Sequence, residues 1–151
     1  MNDGREDIRR VAAELGERLP EPIAPLARLA YNYRWSWLPG GSEVFEAIDP
    51  ERFELTHQNP VRLLQEASAT ALRLAAADDA LVERIAAVDA QVKADLERPP
   101  YPSIDPARPV AFLCAEYGVH VSLPVYSGGL GALAGAQQDV LRQARVLVGV
   151  V

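Results

Sequence analysis

The chain has 151 residues, 49% of them apolar and 24% charged, with a formal net charge of −6. That length suits one ordinary domain or two small ones, and the acid excess argues against a nucleic-acid surface and against docking on anionic membranes. The single cysteine, Cys114, excludes a disulfide framework or a cysteine metal cluster and fits a reducing cytoplasm.

The opening MNDGREDIRR lacks the apolar core of a signal peptide, and no run of about 18 apolar residues is present to span a bilayer. From there the first two thirds of the chain read helical. Ile8, Val11, Ala12, Leu15 and Leu19 recur at intervals of three and four, which predicts a helix over 8–19. Leu26, Leu29, Ala30, Tyr33 and Trp37 repeat that spacing over 25–38, where Pro39, Gly40 and Gly41 stop it. Asn59 is a cap and Pro60 a first helical residue, so a third helix starts there. The stripe Leu81, Ile85, Val88, Val92 and Leu96 predicts a long helix over about 79–97. The short gaps between these segments predict an antiparallel helical bundle.

The charge is unevenly distributed. Residues 1–108 hold 19 acids and 13 bases, while 109–151 hold two of each, and none lies between Glu116 and Asp139. The break falls at ERPPYPSIDPARP (97–109), with five prolines in thirteen positions, an extended connector by its lost donors and restricted backbone. The expected organisation is therefore a helical domain over 1–98, a linker over 99–109 and a second module over 110–151.

That module begins with PVAFLCAEYG, a continuous apolar run suited to a strand buried on both faces. Cys114 lies in it and reads as a small buried hydrophobe. A glycine-rich loop, a helix-compatible stretch over about 130–144 and a second apolar run, RVLVGVV, follow. Strand, loop, helix, strand predicts the opening βαβ unit of a doubly wound sheet, so the fold class expected is α+β. Two strands and one helix leave sheet edges bare, and the sequence reads as the front of a larger protein, with exposed edges open to aggregation or self-association.

Gly128, Gly129, Gly131 and Gly135 fall within eight residues in PVYSGGLGALAG. Glycines between a strand and a helix allow backbone N–H groups to reach an anion, so YSGGLG is a candidate phosphate cradle; a tight turn with close helix packing explains it equally well. The spacing matches neither the dinucleotide fingerprint nor the Walker loop. Among the remaining residues, Asp78 and Asp79 suit a helix start. Tyr31, Tyr33, Trp35 and Trp37 form an alternating aromatic cluster that either packs in the core or stacks on sugars. His57 has no partner at metal-ligand spacing.

LAYNYRWSW (29–37), HQNPVRLL (57–64) and FLCAEYGVHVSLPVYSGGLGALAG (112–135) resemble the N-terminal part of bacterial α-glucan phosphorylases of the glycogen/maltodextrin type, in the branch with an extra N-terminal helical domain. The resemblance implies a GT-B glycosyltransferase with two Rossmann-like domains, transferring glucosyl units between glucan ends and inorganic phosphate with pyridoxal 5′-phosphate. It implies that Gly128, Gly129 and Leu130 present amides to a phosphate, that Gly131 lets a helix start tightly, and that Glu116 faces the same cleft. His120 and Ser127 would shape the loop, and Tyr126 would wall it. Where the family continues with an acidic residue after Leu-Ala-Gly, this chain has Ala136, Gln137, Gln138, Asp139 and Val140, which puts the far rim of the loop in question.

A pyridoxal cofactor needs a lysine for its Schiff base, and the chain has one lysine, Lys93, within the predicted long helix. No catalytic residue, metal site or bound cofactor is therefore expected in these 151 residues, which should be inactive alone. Two other readings remain open at this point: a fragment of a nucleotide-sugar glycosyltransferase of the glycogen synthase type, and a non-catalytic helical docking module.

Overall fold

The computed structural model describes residues 4–99, 111–114, 116–125, 127–129, 132 and 147–150. The chain divides into two compact units, Met1–Asp95 and Leu96–Val151.

The first unit is built of short helices. In chain order these are α1 (Gly4–Glu17), α2 (Pro25–Ala30), α3 (Glu43–Glu46), α4 (Pro50–Leu55), α5 (Pro60–Glu66), α6 (Ala69–Ala76) and α7 (Asp79–Glu97), with 3-10 turns at Glu21–Ile23 and Tyr33–Trp37. Five of the seven helices have eight residues or fewer. They stay short because capping residues punctuate the chain. Asp49, Asn59 and Ser68 each accept from the backbone N–H three residues on, and Asp78 does the same for Leu81. Pro25, Pro50 and Pro60 each lead a helix at a position where a missing donor costs nothing.

The continuous helix expected over 25–38 is broken. The Asn32 side chain accepts from the Arg34 N–H and holds Asn32 extended at φ −133, so the chain leaves α2 and re-enters a 3-10 turn. That break turns Trp35 fully into the core, where its ring lies 4.7 Å from Phe45; Phe45 in turn lies 6.5 Å from Phe53. Trp37, two residues on, is 46% exposed. The core continues through Leu26, Leu29, Leu63, Leu64, Leu81 and Ile85. Gly41 is buried because nothing larger fits: a Cβ there would stand 1.8 Å from the Trp35 carbonyl oxygen. After α4, His57 and Gln58 both take positive φ (53 and 56), so the chain turns sharply into the Asn59 cap.

α7 is tied down by charge as well as by its apolar stripe. Asp89 is buried and receives both Nε and a terminal nitrogen of Arg28, with Lys93 Nζ at 3.0 Å. Burial works to raise the Asp89 carboxyl, but hydrogen bonds and charge from Arg28 and Lys93 outweigh it and leave it below its ordinary value. One helical turn and a half further, Arg34 Nε meets Asp95 Oδ2 at 2.5 Å, both side chains being largely shielded.

The expectation of an α+β fold opening on a βαβ unit is corrected. The described residues are mostly helical. In the second unit two four-residue strands, β1 (Ala111–Cys114) and β2 (Leu147–Val150), lie parallel with Ala111 opposite Leu147 and Cys114 opposite Val150. No βαβ unit is shown, and nothing of a GT-B domain with it: the crossing helix expected over 130–144 lies outside the described residues except at Ala132. The physical reason is the ambiguity of the signal. An apolar run bounded by proline and glycine specifies burial but carries no period from which a layered sheet can be read. The linker assigned to 99–109 likewise lies outside the described residues, apart from Pro99.

Candidate functional site

The segment after β1 folds back on itself. Tyr117, 2% exposed, donates its N–H to the Val125 carbonyl at 3.2 Å, and Leu123 N–H reaches the His120 carbonyl at 3.0 Å. His120 Nδ1 accepts from the Ser122 N–H at 3.3 Å and lies 2.9 Å from its hydroxyl. An accepting Nδ1 places the proton of the neutral ring on Nε2, and burial holds the imidazole below its ordinary pKa. His120 is thus a neutral side chain that shapes the turn.

The turn delivers the glycine loop to Glu116. The Ser127 N–H donates to Glu116 Oε2 at 3.1 Å, a contact between residues eleven apart in sequence. Glu116 is half-buried, and it fixes the point from which the chain enters Gly128. Gly128 has φ +77, a conformation that residues with a Cβ rarely adopt, and Gly129 is helical. Among the described residues no atom lies within 4 Å of where a Cβ would sit on either glycine, so packing against them demands neither. Of the site predicted from sequence, the structure brings Glu116, Ser127, Gly128 and Gly129 into one loop. Leu130, Gly131 and Tyr126 lie outside the described residues.

The first unit sorts the other candidates. Lys93 is committed to Asp89 on α7. Trp35 belongs to the core and Trp37 is largely outside it, so the alternating aromatics are not one surface. His57 is exposed at the positive-φ turn before α5. Sequence reasoning missed the clamp formed by Arg28 and Arg34 on Asp89 and Asp95, which joins residues 61 apart in each case. The only local sign of it was an aspartate beside Val88 on an apolar stripe. Among the described residues no group of three or more His, Cys, Asp or Glu side chains is placed to hold a metal ion. No helix among them is long and apolar enough to cross a membrane.

A capped multi-helix unit followed by a strand and a glycine loop is the arrangement in hand, and it has a family. The chain belongs to the DUF3417 family, described as a protein of unknown function, whose model matches residues 19–123. It is 37% identical over 131 residues to maltodextrin phosphorylase of Thermococcus litoralis, 83% of this chain and 15% of that protein. It is 34% identical over 119 residues to glycogen phosphorylase of Aquifex aeolicus, 79% of this chain and 16% of that protein. It is 36% identical over 126 residues to glycogen phosphorylase of Mycobacterium tuberculosis, 78% of this chain and 15% of that protein. The chain therefore spans about a sixth of the length of the curated relatives it matches. No solved structure matches it.

Proposed function

We propose that this chain is the amino-terminal part of an α-1,4-glucan phosphorylase, acting on α-glucan ends and inorganic phosphate in the cytoplasm, and that it is inactive by itself. The observation that carries the reading is 34–37% identity to three phosphorylases across 78–83% of the chain. In this reading residues 1–98 are a helical module, 99–109 a tether and 110–151 the start of the catalytic part.

Phosphorolysis breaks the bond between C1 of the terminal glucosyl unit and the glycosidic oxygen. A phosphate oxygen takes C1, and the departing 4-oxygen takes the proton that hydrogen phosphate gives up and leaves as a hydroxyl. Charge develops at C1 and on phosphate together, so the protein's task is to place donors beside the phosphate before the reaction begins. The amides of Gly128, Gly129 and Leu130, with Gly131 behind them, are the donors assigned here. Among the described residues nothing stands within 4 Å of a Cβ built on Gly129, which supports an anion's approach to that backbone. Glu116 is a positioning residue: its carboxylate accepts from Ser127 and sets the loop's entry.

Pyridoxal 5′-phosphate, which the resemblance implies, supplies acid–base phosphate chemistry when bound. The residues of this chain do not fit its attachment. Lys93 is the chain's one lysine, and its ammonium is held 3.0 Å from the Asp89 carboxylate on the same helix, within the first unit.

The test replaces the matching segment of the Aquifex aeolicus relative with this chain and measures glucose 1-phosphate released from glucan and phosphate. Release at a rate within about tenfold of the parent is expected. A folded chimera that releases none, beside an active parent, overturns the assignment.

A further inference from the structure

The end of α1 and the face of α6 enclose a cleft of ≈ 270 Å³, lined by Arg18, Leu19, Pro20, Ala69, Leu72 and Arg73. Its floor is apolar: Leu19 and Leu72 are 7% and 3% exposed. No acidic residue is among those lining it. By contrast, Arg10, Arg28, Arg34, Arg52 and Arg62 are each paired with a carboxylate.

The two cleft arginines are held instead by neutral groups. Arg18 Nε donates to the Leu64 carbonyl and a terminal nitrogen to the Ala67 carbonyl, both at 3.2 Å, so its guanidinium is oriented against the end of α5. Arg73 donates to the Thr70 hydroxyl at 3.0 Å. Among the described residues neither charge is neutralised by an acid. Each guanidinium keeps N–H donors beyond those bonds, on Nη1 of Arg18 and on Nε and Nη1 of Arg73, and two such cations beside one apolar floor match a dianionic tetrahedral group better than a single carboxylate. The cleft falls just below the volume range of drug-sized ligand pockets, which limits the occupant to a small molecule.

We propose that this cleft binds a small phosphate monoester, its phosphate between Arg18 and Arg73 and its organic part on Leu19, Pro20 and Leu72. The site lies wholly within the first unit and does not depend on the glycine loop or on the phosphorylase assignment.

The test titrates the full 151-residue chain by calorimetry with phenyl phosphate, inorganic phosphate and benzoate at constant ionic strength. Saturable one-to-one binding of phenyl phosphate is expected, tighter than either other probe. R73Q removes one fork from an exposed position and should weaken binding about tenfold. R73K keeps the charge without the fork and should fall between. R84Q, an exposed arginine on α7 outside the cleft, should bind as the unaltered chain does. Circular dichroism of each variant separates lost binding from lost folding, and R73K carries the comparison if R73Q unfolds. Three results would each overturn the proposal: no saturation, equal weakening by R84Q, or benzoate or inorganic phosphate binding as tightly as the ester.

Discussion

Gly41→Ala should be among the most damaging single-methyl additions the first unit can receive. The added Cβ would stand 1.8 Å from the Trp35 carbonyl oxygen, 2.7 Å from its carbonyl carbon and 3.0 Å from the Leu38 oxygen. All three are backbone atoms, so no side chain can swing aside. Relief requires the 3-10 turn carrying Trp35 to move, and Trp35 is fully buried against Phe45. The Gly41 N–H bond to the Leu38 carbonyl, 3.0 Å long, is strained by the same shift. Overpacking against a rigid wall costs about 3 kcal/mol. For a unit of this size that lowers Tm by roughly 12–24 °C. Gly40→Ala is the internal control. Gly40 has φ +74 but nothing within 4 Å, so its variant meets only the left-handed backbone penalty of about 1 kcal/mol. Urea denaturation followed by far-ultraviolet circular dichroism and by tryptophan fluorescence measures both. If Gly41→Ala proves no more destabilising than Gly40→Ala, the close approach at Trp35 is refuted.

Asp89→Asn should cost about 2 kcal/mol at neutral pH, below the range for a fully buried pair because Arg28 is half exposed to solvent screening. The carboxyl is depressed in the folded state, so its contribution is present above the unfolded value near 3.8 and is lost as pH falls through the folded one. The stability gap between Asp89→Asn and the unaltered chain should therefore begin to narrow as pH falls below about 4 in acid titrations of Tm; a gap that does not narrow on acidification would count against the ion pair. In the phosphorylase chimera, Gly128→Ala should lower stability by about 1 kcal/mol through its positive φ. Gly129→Ala, which meets no described residue within 4 Å, should leave Tm unchanged and slow glucose 1-phosphate release about a hundredfold by fouling an anion's approach. Unchanged turnover in Gly129→Ala would remove the loop from the reaction.

Helix starts were legible where polar caps announced them, and the same rule shows what was overlooked. Asn59-Pro60 predicts α5, and Asp49-Pro50 carries the identical signal for α4, which periodicity alone did not reveal because six residues hold too little of a stripe. The stripe on α7 was readable at Leu81, Ile85, Val88 and Val92, all buried, but not at Leu96, which is 62% exposed. Asn32 spoiled the helix expected over 25–38 because a side-chain amide that satisfies Arg34 competes with the helical ladder, a choice that hydrophobic spacing does not register. In the candidate site, glycine at 128 is explained by its backbone angle. The Glu116–Ser127 contact had no sequence signal, since a bond between residues eleven apart depends on how the turn at His120 closes.

The brevity of α2 to α6 has a consequence for how the first unit can fail. An isolated helix shorter than about 12–15 residues is marginal in water, so segments of four to eight residues persist only while their neighbours are docked. Loss of any one strips the partners of the next, and α7 loses its anchors when Arg28 and Arg34 depart with α2 and the adjoining turn. Such a unit has no stable half. A protease that nicks it should find either the whole intact or fragments in which the helices between α1 and α7 no longer persist, and a segment grafted from a relative will be accepted as a complete cassette more readily than as a single helix.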